Sequence, residues 1–254
     1  MTTTPVPHRE FDPPEALRGA IRCFGHTRRE CDGTRFEIIP DGYAEIVFHF
    51  GGCCLDGKPL PSPFLMGQLN QPLALTTAGP LEVIGVRCYP WTVFDVLGLP
   101  PGRDGLRVFE HPVARLQGAL QACVAAGRIE DAVALLARYF LHARPAAVDG
   151  TVFKAGVAML EARGALAVSA VAAAAHATVR TLERKFKQSS GHTVKDVAGL
   201  MRFEQARNRL WAEPRTSLAA LAQALGYTDQ SHLSREFKRY SGMTPAAFAR
   251  KRRP

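Results

Sequence analysis

The sequence contains no long apolar run. Its longest, from Ala165 to Ala175, is dominated by alanine, interrupted by Ser169 and too short to span a bilayer. The start, MTTTPVPHRE, lacks a basic segment followed by an apolar one, so no secretory signal is expected and the chain is read as cytoplasmic with no membrane partner. Six cysteines (Cys23, Cys31, Cys53, Cys54, Cys88 and Cys123) include no Cys-x-x-Cys pair and need no disulfides in a reducing compartment. Adjacent Cys53 and Cys54 have two readings: a sensor of thiol oxidants or soft metals, or small residues beside a Gly-rich turn. There is no Gly-rich phosphate loop, no nucleophile elbow and no Ser/His/Asp arrangement with supporting context. Neither catalysis nor a cofactor is expected.

A net positive charge is missing from one half only. Residues 1–150 hold 14 Lys+Arg against 16 Asp+Glu, whereas residues 151–254 hold 18 against 7, a net of +11. Basic charge confined to one half is the electrostatic footprint of a polyanion partner, although a solvated basic surface would look the same.

The basic half contains a duplication, and this decides between those two readings. Residues 178–193, TVRTLERKFKQSSGHT, and 229–244, DQSHLSREFKRYSGMT, share Leu182/Leu233, Arg184/Arg235, Phe186/Phe237, Lys187/Lys238, Ser190/Ser241, Gly191/Gly242 and Thr193/Thr244. Leu and Phe four apart bury on one helix face and leave the basic residues on the others. Each helix should stop at its Gly in the left-handed conformation, and the following Thr should cap the next helix. Upstream, Val168/Leu218, Val171/Leu221, Ala172/Ala222 and Thr178/Thr228 align in a register one residue shorter. A short helix, a tight turn and a second helix make helix-turn-helix geometry, twice. The first copy is less well made, because Ala167 replaces the Ser217 cap and His176 replaces Gly226. Between the copies, residues 194–212 carry a buried stripe of Val197, Leu200, Met201, Ala206 and Leu210. Thr193 and Asp196 form a capping-box-like start, so one long helix should join the halves.

These residues closely match a known signature. Ala222, Gly226-Tyr227, Asp229-Gln230-Ser231, Leu233-Ser234-Arg235, Phe237-Lys238, Gly242 and Thr244-Pro245 resemble the DNA-binding domain of AraC-type (arabinose-regulator-like) bacterial transcription factors. The resemblance implies two subdomains around a central helix, double-stranded DNA as partner, and RNA polymerase as a further one.

The first half reads as strands followed by helices. Residues 36–50, FEIIP-DG-YAEIVFHF, suggest a hairpin, with Tyr43, Glu45, Val47 and His49 on one face and Ala44, Ile46, Phe48 and Phe50 on the other. Strand-like runs follow at 73–77 and 81–89, and helical ones at 91–98, 113–126 and 129–142. The apolar faces of the last two (Val113, Leu116, Leu120, Cys123; Ile129, Val133, Leu136, Phe140) fit packing either on the chain's own strands or on a second subunit. The segments IIPDGYAEIVFHF and GVRCYPW are similar to the cupin-like N-terminal domain of one branch of AraC-type regulators. That likeness implies a small-molecule effector, homodimerisation or both. Cupin metal sites use His-x-His with a further Glu and His; only Glu45, His49 and His26 approach this, so no metal is expected.

The expected fold class is therefore two domains: an α+β cupin-like small β-barrel with helices over residues 1–145, and an all-α double helix-turn-helix domain over residues 152–254. Residues 146–151 would link them. The two helix-turn-helix units should lie at about 167–191 and 217–242. In the second copy, Gln230, Ser231, Ser234 and Arg235 face away from the core near the helix start and are candidates to read bases. Arg235 suits guanine and Gln230 adenine. The equivalents in the first copy are Arg180, Thr181, Glu183 and Arg184. Glu183 would accept from cytosine, or simply pair with Arg180 or Lys187 along the helix. Lys187, Lys238 and Arg239 are phosphate candidates. Arg250-Lys251-Arg252-Arg253 would add phosphate contacts or form a basic end. The expected function is a sequence-specific DNA-binding transcriptional regulator. The alternative is a DNA-binding module on a cupin-type or DNA-repair enzyme, against which no cysteine lies in a methyl-acceptor motif.

Overall fold

The computed structural model describes residues 8–29, 35–103, 105–143 and 149–251. They form two compact units, the second beginning at Asp149 and also taking in Ile39–Gly42 and Gln68–Leu73.

In the first unit a six-stranded sheet runs in the order β1 (His8–Phe11), β2 (Ile21–Arg29), β9 (Leu81–Cys88), β4 (Ala44–Phe50), β7 (Phe64–Met66) and β10 (Leu106–Arg107). A four-stranded sheet runs β3 (Arg35–Ile38), β8 (Leu73–Thr77), β5 (Cys53–Leu55) and β6 (Lys58–Pro59). Strand β4 sits inside the larger sheet because its alternation buries Ala44, Ile46 and Phe48 on one face, opposite Cys88, Val86 and Ile84 of β9. Helices α1 (Val93–Leu97), α2 (Gln117–Ala125) and α3 (Ile129–Ala143) cover that face. Leu120, Cys123, Ile129, Val133, Leu136 and Phe140 join the same cluster as Ile46 and Phe48. The helical apolar faces are thus spent on the chain's own sheet, each large side chain contributing about 1.5–3 kcal/mol by burial. Helix α2 starts later than its apolar spacing suggests. Residues Pro112–Leu116 form a tighter 3-10 turn, opened by His111, whose Nδ1 accepts from the Val113 amide at 3.2 Å.

The expected hairpin over residues 36–50 does not form: β3 and β4 lie in different sheets. Pro40 has no N–H to extend a ladder, and the apolar face of β4 is satisfied only deep in the larger sheet, between β9 and β7. Partner choice by strands is non-local, so a turn-like dipeptide alone does not decide it.

The other face of the larger sheet carries Glu45, Val47 and His49 beside Cys23, Gly25, Thr27, Gly85 and Arg87. Gly25 and Gly85 pair in the middle of the sheet, and Glu45 Oε1 occupies the volume that a Cβ on Gly85 would need. The smaller sheet stands on this side. Arg29 stacks over Phe36 at 4.6 Å, and His49 Nε2 lies 3.2 Å from the Leu60 carbonyl that follows β6. No ladder among the described residues joins the two sheets. His49 Nδ1 faces the Gly51 carbonyl at 3.0 Å, and His26 lies on the opposite face, 2.7 Å from Glu82. Glu45, His49 and His26 therefore do not converge.

The five described cysteines, Cys23, Cys53, Cys54, Cys88 and Cys123, are free. Burial pushes the thiols of Cys23 and Cys53 up to about 11, and raises that of Cys88 as well. At neutral pH Cys53 is a thiol rather than the reactive thiolate, which suits packing beside the Gly51-Gly52 turn. Cys31 lies outside the described residues.

The second unit is all helical after Asp149: α4 (Gly150–Glu161), α5 (Val168–Ala174), α6 (Val179–Ser190), α7 (Val194–Ala212), α8 (Leu218–Ala224), α9 (Gln230–Ser241) and α10 (Pro245–Arg250). Asp149 caps α4 by accepting from the amides of Thr151 and Val152. Among the described residues, no helix is long and apolar enough to cross a membrane.

Candidate nucleic-acid interface

The duplication seen in the sequence is reproduced in the turn of each copy. The Ala177 amide donates to the Ala172 carbonyl at 2.9 Å, and the Tyr227 amide to that of Ala222 at 3.0 Å. Each bond closes a turn between two helices, and each turn needs a left-handed residue: Gly226 has φ of 71° and His176 has φ of 51°. Histidine carries a Cβ into that region, so the first turn holds strain that glycine avoids in the second. Ser217 caps α8 by accepting from Ala220, while Ala167 provides no side-chain cap to α5. Thr178 and Asp229 cap α6 and α9.

The two helices α6 and α9 share one design. Leu182, Phe186, Leu233 and Phe237 are fully buried. On the opposite faces Arg180, Arg184, Gln230, Ser231 and Arg235 are exposed, and Thr181 and Ser234 are half-buried. Lys187, Lys238 and Arg239 are exposed further along. Arg250 and Lys251 are exposed too, while Arg252 and Arg253 lie outside the described residues. Both helices end on left-handed Gly191 and Gly242. Helix α7 between them opens with a full capping box of Thr193 and Asp196, and Thr244 caps α10 with Pro245 in its first turn.

A family model described as a helix-turn-helix domain matches residues 171–251, and one described as a domain of unknown function, DUF6597, matches residues 9–103. The C-terminal unit is an AraC-type DNA-binding domain. It makes the chain a DNA-binding transcription regulator. Among solved structures, ToxT from Vibrio cholerae is similar over 89% of this chain and 97% of its own, at 11% identity and a TM-score of 0.50. That is a likeness of fold, a sheet-rich domain followed by a helical one. A probable AraC family transcriptional regulator from Rhodopseudomonas palustris is similar over 42% of this chain and 100% of its own, at 21% identity and a TM-score of 0.38. No curated protein matches the chain.

Within the AraC-type domain several side chains have roles that the sequence leaves hidden. Glu183 pairs with neither Arg180 nor Lys187 in the bonds described; its Oε2 accepts from the Val194 amide at 3.4 Å. A carboxylate at the first residue of α7 satisfies a free N–H and the positive helix end. The repeated serines are helix locks. Ser190 donates to the Phe186 carbonyl at 2.8 Å and accepts from the His192 amide, while Ser241 donates to Phe237 at 2.7 Å and accepts from Met243. Lys185 is held by Asp149 at 2.8 Å and so faces α4. The first residue of α6, Val179, is 43% exposed and is not singled out by its apolar spacing. It occupies the position that Gln230 holds in α9.

Proposed function

We propose that α6 and α9 enter two successive major-groove segments on one face of the DNA, so that a single chain reads a bipartite site. The supporting observation is the pair of exposed arginines, Arg184 and Arg235, at equivalent positions on helices whose other face is wholly buried. Arg235 reads guanine and Gln230 adenine. Val179, in the place of Gln230, meets a thymine methyl, and Arg180, Thr181 and Arg184 complete the first reading surface. Ser231 and Ser234 contribute adaptable hydroxyls. Lys187, Lys238 and Arg239 bind phosphates and set affinity and register. Footprinting with the full chain is expected to protect two segments whose centres lie about 10 bp apart. Protection confined to one groove overturns this reading.

The reading extends to regulation without catalysis in the cytoplasm. The sheet-rich domain, spanning about residues 1–145, senses a small molecule or dimerises, and the DNA-bound domain of residues 152–254 contacts RNA polymerase. Residues 146–151 link the two. A homodimer would set four recognition helices on a repeated site and raise avidity. It must use a surface other than α2 and α3, whose apolar faces lie in the core. Sedimentation of the full chain at tens of micromolar is expected to show a dimer; a monomer at that concentration removes dimerisation from the reading.

A further inference from the structure

One arginine of α7 touches both halves of the DNA-binding unit. The Arg202 side chain is only 13% exposed, as is that of Glu236 on α9. Its Nη1 donates to the Gly164 carbonyl at 2.9 Å, in the turn between α4 and α5. Its Nη2 lies 3.5 Å from each carboxylate oxygen of Glu236. The guanidinium stands 5.2 Å from the ring of Tyr227, in the turn between α8 and α9, and burial raises that phenol above its usual range. His232 Nε2 reaches Glu236 Oε2 from one turn earlier on α9, at 3.3 Å.

Two glycines make room for this tie. Gly164 has φ of 77°, and Ala198 O and Met201 Cβ stand where its own Cβ would be. The first half therefore rests directly on the α7 backbone. On α7 itself, Glu236 Oε1 fills the space a Cβ on Gly199 would take, with the Tyr240 hydroxyl 3.2 Å from the same point. Helix α9 is thus seated on α7 at the level of Arg202. A buried ion pair is a poor way to gain stability, since apolar side chains of similar size often do as well or better. What it adds is directionality. The planar fork of an arginine can hold a carbonyl on one side and a carboxylate on the other at set angles.

We infer that Arg202 is a positioning residue that, by joining the Gly164 carbonyl to the Glu236 carboxylate, fixes the separation and rotation of α6 and α9. It thereby sets the spacing between the two DNA segments that the protein accepts. This rests on the reading of α6 and α9 as major-groove helices. The test compares the affinity of the full chain for its selected site with that for sites carrying one or two base pairs inserted between the segments. Wild type is expected to lose about tenfold or more on insertion, the scale of a misplaced base contact. The double variant Arg202→Met, Glu236→Met refills the buried space without the tie and is expected to lose only about twofold, consistent with a loosened spacing. A merely structural role would weaken native and shifted sites alike and keep their ratio, which overturns the inference. If that variant does not fold by circular dichroism, Arg202→Lys decides. Its single ammonium cannot serve both partners, so the ratio should fall, and an unchanged ratio overturns the inference. A wild-type protein indifferent to insertion would instead overturn the two-groove reading itself.

Discussion

Replacing Phe237 by alanine is expected to destabilise the second half of the DNA-binding unit by about 3–5 kcal/mol, the usual cost of deleting a buried phenylalanine ring. Phe237 is fully buried where three helices meet. Its ring lies edge-on to Phe203 of α7 at 5.0 Å and to Phe248 of α10 at 5.4 Å. Tyr240 packs at a tilt against Phe203 from the next turn of α9, at 5.2 Å, so the ring is enclosed by other aromatics. Aromatic walls of this size do not collapse into the space left by a lost ring, and the cavity penalty stays near its upper range. The melting temperature of the helical unit should fall by roughly 10 °C or more. Binding to the selected site should be lost through unfolding rather than through a missing contact. Circular dichroism melts of the full-chain variant check this, and a shift of only a few degrees would sink the packing account.

Arg235→Ala should act in the opposite manner, leaving stability intact and removing specificity. Arg235 is exposed on α9, one residue from the half-buried Ser234 and two from the buried Leu233, so truncation opens no cavity. We expect a loss of about 1–3 kcal/mol at the selected site, with relaxed preference at one base position. Lys238→Ala, three residues further along the same exposed face, should weaken all sequences alike and reduce the salt slope by about one. Titrations of selected and random duplexes over a range of salt concentrations separate the two. If Arg235→Ala weakened random DNA as much as the selected site, the base-reading role would be wrong.

The difference between these variants is legible in the amino-acid sequence, because the C-terminal pattern is made of local signals. Leu and Phe at i and i+4 choose the buried face of each recognition helix. A single glycine at Gly191 or Gly242 ends it, and the Thr193–Asp196 pair starts the next. Each of these operates within one or two turns of helix, so a short stretch of chain carries the full instruction. Duplication reinforces it by supplying the same instruction twice, down to the weaker first turn at His176.

Tertiary structure decided everything that depends on distant partners. The segment around Asp41-Gly42 looks like a hairpin locally, yet β3 and β4 separate because β4 finds better burial between β9 and β7. Strands β1 and β2 carry little local signal and gain their place only by pairing with each other and with β9. Helices α2 and α3 had two uses open to their apolar faces, and only the assembled sheet settled that they cover it. In the helical unit, Glu183 became a cap for Val194, eleven residues away. Arg202 met Gly164 and Glu236 at separations of 38 and 34 residues. By itself the sequence determined the DNA-binding unit, since short-range capping, turn and burial preferences add up along a helix. The strand order and the Arg202 tie were left to the tertiary fold, because hydrogen bonds between strands and buried ion pairs are chosen by whichever distant groups desolvation brings together.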